Sequence, residues 1–177
     1  MIYQKTTDMV QIKKCTFEHM TKSYPCKEKS VLDGCMIMRQ SIKPEDVQSP
    51  FQVEAYALLF CISGEVNIIS DLRSYTVTPG TLFVYLPNNI IKIDCKKESI
   101  ISEVILASDY LRKNFLQWNK ISPLFIQTAN NPVITIPTDR RDELIRMLDN
   151  IQERIKTATC SEWNRKAYHA ALKTFLY

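Results

Sequence analysis

Turn chemistry recurs every few residues through the middle of this sequence, and that spacing limits the fold more than any other feature. Ser63-Gly64, Asp71 to Ser74, Thr78-Pro79-Gly80-Thr81 and Pro87-Asn88-Asn89 each stop one short apolar run and release the next. Proline presets φ at the first central turn position, and glycine accepts the positive φ demanded at the next, so the Pro79-Gly80 pair is a strong stop. The intervening runs 35–42, 51–62, 66–69, 75–77, 82–86, 90–94 and 100–106 read as about seven strands spaced roughly 8 to 12 residues apart, the pattern of a sandwich or barrel. Pro44 closes the first run, because proline cannot continue a strand ladder. The run from Phe51 to Ile62 starts as an alternation through Val53, Ala55 and Ala57. It then turns apolar on both faces at Leu58, Leu59, Phe60 and Cys61, which predicts one strand covered on two sides at its far end. Helix-crossed parallel folds do not fit this rhythm.

Outside the strands the pattern changes. Residues 1–29 mix charge, Thr, Ser and Pro25 without sustained periodicity, predicting an irregular arm with one short strand or turn of helix. After Leu106, Ser108 or Asp109 caps a short helix through Trp118 that puts Leu111, Phe115 and Trp118 on one face. Residues 119–137 read as irregular, with Val133 to Ile136 able to add a last strand. Thr138 then caps a long helix whose early Asp139, Asp142 and Glu143 suit the positive end of the helix dipole. Its stripe is Leu144, Leu148, Ile151 and Ile155. A short break at Thr157 to Cys160 leads to a second helix with Trp163, Ala167, Tyr168, Ala171, Leu172, Phe175 and Leu176. So short a link makes the two an antiparallel hairpin. The apolar pattern is still running at Tyr177, which predicts a longer parent chain. The division expected is an arm (1–29), a barrel (30–136) and a helical hairpin (137–177).

At 177 residues with 45% hydrophobic and 24% charged side chains, the chain has enough apolar surface for a core without disulfide or metal staples. Its 23 basic and 19 acidic residues are scattered, so the net +4 forms no basic stripe of the kind nucleic acid selects. The cysteines at 15, 26, 35, 61, 95 and 160 make no CxxC pair, and Cys35, Cys61 and Cys95 sit in apolar runs. Reduced thiols and a cytoplasmic setting follow. The N-terminal residues lack a signal-peptide apolar stretch, and no run is long enough for a bilayer, so neither secretion nor a membrane is expected.

Catalytic groups are sparse. Of two histidines, His19 lies in the arm and His169 in the last helix, leaving the barrel strands without an imidazole to hold a metal. Three glycines, at 34, 64 and 80, offer no phosphate-cradling loop, and no nucleophile elbow occurs. Catalytic residues, metal and cofactor are therefore all expected to be none. A binding cavity is a different matter, since a small barrel is either filled by side chains or left open for one compact ligand. Met36, Met38, Tyr56, Leu58, Phe60, Phe83, Tyr85 and Ile91 are candidates for its lining, with Arg39 and Lys92 as polar anchors. Plain core packing, and a solvent-facing Lys92, explain the same residues. The stripe Leu144, Leu148, Ile151, Ile155 has three destinations: the barrel, which is nearest, the second helix, or another copy of itself.

Within this context the stretch AYALLFCISGEVNIISDLRSYTVTPGTLFVYLPNNIIKI resembles the central segment of the cupin domain of AraC-type transcription regulators. It shows an apolar strand, a glycine turn, a polar strand with a tyrosine near the hairpin, a Pro-Gly turn, an apolar strand and a proline, and a helix pair follows. The resemblance spans roughly residues 30 to 177. It implies a mainly β fold, a cupin-like double-stranded β-helix barrel followed by an antiparallel α-helical hairpin. The implied role is effector binding and homodimerisation, with a sugar or a small amphipathic or anionic compound as effector. The hairpin would supply the dimer contact through Leu144, Leu148, Ile151 and Ile155 or the Trp163 to Leu176 face. DNA would be reached only through helix-turn-helix units that nothing in this sequence matches. Two other classes stay open: a cupin-fold enzyme, with or without metal, and a free-standing carbohydrate-binding β-domain.

Overall fold

The computed structural model describes residues 12–23, 28–46, 49–114, 125–158 and 161–176. The strands are β1 (Lys13–Thr16), β2 (Glu28–Leu32), β3 (Cys35–Ile42), β4 (Phe51–Glu54), β5 (Tyr56–Ser63), β6 (Val66–Ser70), β7 (Arg73–Val77), β8 (Thr81–Tyr85), β9 (Ile90–Asp94), β10 (Ser99–Leu106) and β11 (Val133–Thr135). The helices are α1 (Phe17–Ser23), α2 (Ser108–Asn114), α3 (described over residues 125–128), α4 (Thr138–Ala158) and α5 (Glu162–Leu176).

The pairing is nested. β6 pairs with β7, β5 with β8, β4 with β9 and β3 with β10, all antiparallel. The chain therefore runs out along β3 to β6 and returns beside itself along β7 to β10, one long hairpin rolled into two sheets. The sheet orders β1-β4-β9-β6-β7 and β11-β8-β5-β10-β3-β2 are those of a jelly roll, widened by β1, β2 and β11 at its edges.

The run expected as one strand, 51–62, is two strands in different sheets. β4 belongs to the first sheet and β5 to the second, and the corner falls at Ala55, which is fully buried. A sandwich turns such corners where a strand bends from one sheet to the other. Alternation gives no warning here, because residues 51, 53, 55, 57, 59 and 61 all face the same interior and the period of two runs through the bend unbroken.

The second sheet is buried on both faces. Its inner face and the first sheet enclose one core, with Met36, Met38, Ala57, Leu59, Phe83, Tyr85, Ile101 and Ile105 meeting Val53, Val66, Ile68, Val77, Ile91 and Ile93. Its outer face carries Ile37, Leu58, Phe60, Leu82, Val84, Val104 and Leu106 into a second core beneath the helices. Leu148, Ile151 and Ile155 of α4 and Tyr168, Leu172 and Leu176 of α5 fill that core. Burying a residue of this size contributes about 1.5–3 kcal/mol, so packing against the barrel, rather than helix propensity, holds α4 and α5 in place.

Local chemistry supports each joint. Ser161 Oγ accepts a hydrogen bond from the Asn164 amide at 3.1 Å and caps α5. Arg141 donates to the Ile62 carbonyl at 3.0 Å, fastening α4 to β5. At Gly64, φ is +85° and a Cβ would stand 2.3 Å from Ser99 Oγ, so the turn between β5 and β6 closes over β10 only with glycine. In the described part of the arm, β1 lies parallel to β4, and Cys15 and Met20 are buried in the inner core. The helix expected to run through Trp118 is described as far as Asn114, and Phe115 and Trp118 lie outside the described residues.

Candidate binding site inside the barrel

Strand parity sorts the candidate lining residues. Met36, Met38, Phe83 and Tyr85 point between the sheets, together with Ile91 from the opposite wall. Tyr56, Leu58 and Phe60 are on the other face of the same sheet, under the helices, where Tyr56 packs on Phe125 with ring centroids 4.6 Å apart and Phe60 on Phe175 at 5.9 Å. Arg39, one residue from Met38, is also on the helix side and pairs with Asp149 of α4 at 2.6 Å. Lys92, between the inward Ile91 and Ile93, faces away from the inner core on the first sheet. These residues therefore do not form one lining: five belong to the interior, four to the helix junction, and Lys92 to the outer face.

The interior holds a chemical group that the sequence reading passed over. Glu103 of β10 is opposite Met38 on one side and Leu59 on the other, and is 2% exposed. Burial pushes its carboxyl up to about 7, and the Tyr85 hydroxyl beside it offsets part of that rise. Among the described residues its Oε2 accepts no hydrogen bond. An underused carboxyl oxygen in an apolar enclosure is costly unless something donates to it, so such a group marks a place where a donor would be held. The signal was present in the sequence: the alternation Ile101, Glu103, Ile105 puts a lone acid on the inward face of an apolar strand. Phe83 and Tyr85, with centroids 5.1 Å apart, and Tyr75, 5.4 Å from Phe83, form an aromatic ladder along the same wall.

The stripe proposed for pairing has another occupation. Leu148, Ile151 and Ile155 are between 1% and 3% exposed within the single chain, so they cover the barrel and are not presented to a second copy. Leu144 is half-buried and lines a cavity of about 290 Å³ between β8, β11 and the ends of the two helices, with Phe60, Leu82, Ile134 and Phe175. Trp163, at the start of α5, is 82% exposed, with the Lys166 ammonium 5.9 Å from its ring.

A polar cluster fastens α5 to the barrel. Tyr110 Oη and His169 Nδ1 are 2.9 Å apart, and His169 Nε2 is 3.5 Å from Asp33 in the turn between β2 and β3. Burial holds the His169 pKa below its ordinary value, partly countered by the Asp33 carboxylate. Cys35, fully buried beside Tyr168, has its thiol pushed up to about 12 by burial, so it is no thiolate nucleophile at neutral pH. Cys15, Cys61 and Cys95 are likewise buried free thiols, with Cys61 pushed up to about 11 by burial. Cys26 and Cys160 lie outside the described residues. Among the described residues no three His, Cys, Asp or Glu side chains converge as metal ligands, and no helix is long and apolar enough to cross a membrane.

No protein-family model matches the sequence, and no curated protein does. Among solved structures, the chain is similar to a cupin superfamily protein from Desulfitobacterium hafniense at 18% identity and a TM-score of 0.42, over 45% of this chain and 72% of that one. It is similar to a cupin-2 domain protein from Shewanella frigidimarina at 10% identity and a TM-score of 0.40, over 49% and 87%. It is also similar to the Clostridium difficile EutQ protein at 17% identity and a TM-score of 0.36, over 42% of this chain and 58% of that one, so it spans little more than half of the EutQ chain. Likenesses of this size concern a shared run of strands and nothing of ligand or reaction, and the fold assignment stands on the nested strand order. On that order the chain is a mainly β, cupin-like two-sheet jelly roll followed by two packed helices.

Proposed function

We propose that this chain is the ligand-sensing and dimerisation domain of an AraC-type transcription regulator working in the cytoplasm, with DNA contacted by a separate helix-turn-helix unit. One observation carries the reading. β10 bears Glu103 on its inner face and Val104 and Leu106 on its outer face, the latter packed under α4 and α5. A donor held by Glu103 changes the inner packing of a sheet whose back is the helices' docking surface. A ligand that prefers one arrangement of that sheet over another thereby biases the helices, which is the physical content of coupling between two sites. The apolar walls and single carboxyl suit a small ligand with hydroxyl or ammonium donors, and the site needs no cofactor.

In this reading a homodimer forms through surfaces other than the buried stripe, such as the solvent face of the helices around Trp163. The same Glu103 also favours one alternative: a carboxyl near pKa 7 beside a tyrosine is suited to proton transfer, as in a metal-independent cupin-fold enzyme.

The test is hydrogen exchange across residues 138–176 with a panel of monosaccharides, sugar acids and short amines. A ligand that protects β10 and also shifts exchange in α4 or α5 supports sensing. Binding that leaves the helices unchanged removes the coupling, and conversion of the compound replaces sensor by enzyme. Sedimentation of the same samples measures the dimer.

A further inference from the structure

We infer that the chain carries a binding cleft for a small hydroxylated carboxylate of the sugar-acid type at the open edge of the sandwich, with Arg73 taking the carboxylate. The cleft has a volume of about 300 Å³ and lies between β6, β7, the turn joining β8 to β9, and residues 128–132. None of the lining residues expected from the sequence belongs to it. This inference goes beyond the sensing proposal by adding a site separate from Glu103, and it rests on that reading for its biological role.

The polar groups of the cleft fall into two sets. One set is occupied in holding the walls. Asp71 accepts from Asn89 Nδ2 at 2.6 Å and from the Ile90 amide at 2.9 Å, while Asn89 Oδ1 accepts from the Leu86 amide at 2.7 Å. Thr128 Oγ1 donates to the Phe125 carbonyl at 3.1 Å. These bonds tie the turn after β6 to the turn after β8, so the walls are fixed before any ligand arrives, which lowers the entropy cost of binding.

The other set has nothing to do. Arg73, Tyr75, Ser70 and Asn130 make no side-chain hydrogen bond or ion pair among the described residues, and all four line the cavity. Parity aims three of them the same way: Ser70 follows Val66 and Ile68 on the inward face of β6, while Tyr75 opposite Ile68 and Arg73 opposite Ser70 face inward on β7. Tyr75 also backs its ring edgewise on Phe83, which gives the cleft a firm aromatic wall.

A guanidinium with five donors matches a carboxylate in two parallel hydrogen bonds. The hydroxyls of Ser70 and Tyr75 and the Asn130 amide both donate and accept, which suits ligand hydroxyls. Asp71 is the acid of this cleft, and its two oxygens are already engaged, so Arg73 is left to an incoming anion. The volume is at the small end of the range for ligand sites and admits one compact molecule.

The experiment is calorimetric titration and amide chemical-shift mapping of the whole chain with D-glucuronate, D-glucose and inorganic phosphate, repeated on Arg73→Gln and Lys92→Ala. Glucuronate is expected to shift residues 70–75 and 128–132 and to bind at least ten-fold more tightly than glucose. Arg73→Gln should remove roughly that factor for glucuronate and leave glucose unchanged, whereas Lys92→Ala, on the outer face of the first sheet, should leave both unchanged. Equal binding of the two sugars, full glucuronate affinity in Arg73→Gln, binding of phosphate alone, or no binding at millimolar concentration would each overturn the assignment. A ligand that shifts helix exchange through Glu103 while ignoring Arg73 would sink this inference and leave the sensing proposal standing.

Discussion

The two faces of one sheet make the most instructive contrast in this molecule. Between the sheets, the interior is built mainly from Val, Ile and Met with the Phe83–Tyr85 ladder, Leu59 is its one buried leucine among the described residues, and it encloses the Glu103 carboxyl. Beneath the helices the same strands meet leucine and aromatic rings, from Leu58, Leu82 and Leu106 to Leu148, Tyr168 and Leu172, and the polar groups there include tyrosines, Cys35, His169 and the Arg39–Asp149 pair. Branched side chains fill the space between pleated sheets, whereas leucine reaches from a sheet into the grooves of a helix. The difference extends to protons, and the two faces respond to pH in opposite directions.

The largest effect belongs to the helix face. Leu172 is fully buried, and Leu172→Ala should cost about 2–5 kcal/mol in urea unfolding. If the two cores are separable, exchange accelerates in α4 and α5 while β6 and β9 keep their protection. Equal loss in both regions would show that sheet and helices unfold as one unit and would break the contrast.

Next comes the inner carboxyl. Glu103 is raised from 4.5 to about 7 on folding, so the folded state binds the proton more tightly. Its stabilising contribution is complete below pH 4.5, falls as pH rises, and is lost once pH passes 7. A shift of that size corresponds to about 3 kcal/mol. Glu103→Gln should therefore be more stable than the parent at pH 8 by up to that amount, with the advantage gone at pH 4. Denaturation midpoints at the two pH values measure it, and a pH-independent difference would mean the carboxyl is not enclosed as described.

What the sequence disclosed follows the same division. Turn residues located the strands, the Ser161 start of α5 and the stripe of α4 because those signals are local. Glu103 was legible only as an exception to alternation in 100–106, and it was passed over for Lys92, whose flanking isoleucines are just as apolar. Sheet membership was not legible: the corner at Ala55 keeps the alternation intact, and nothing short of the nested pairing shows that Phe51 and Phe60 belong to different sheets. Tyr56, Phe60 and Arg39 were grouped with Met36 and Met38 because a sheet covered on both faces is apolar at every position. Parity is then the one guide, and it separates them.

The helix face carries the opposite pH dependence. His169 is held below its ordinary pKa, mainly by burial, so its contribution is present above pH 6.5 and is lost as pH falls through the lowered value. His169→Asn keeps a polar partner for Tyr110 and removes the titration. It should cost on the order of 1 kcal/mol at pH 7.5 and flatten the acid-side decline in helix protection. If the decline survives the substitution, another group drives it.

The smallest effect should come from Lys92, and it tests the parity argument itself. Its neighbours Ile91 and Ile93 are buried, and Lys92 is paired with Ile69 on the opposite side of the first sheet. A side chain there touches neither core, so Lys92→Ala should shift stability by no more than about 0.5 kcal/mol and leave any interior ligand's affinity unchanged. Measured beside Glu103→Gln with the same ligands, it asks whether charge counts by its presence in the barrel's sequence or by the face on which the strand presents it. A ten-fold loss of affinity in Lys92→Ala would mean that the outer face of the first sheet takes part in binding, and the proposed division into one sensing face and one transmitting face would have to be redrawn.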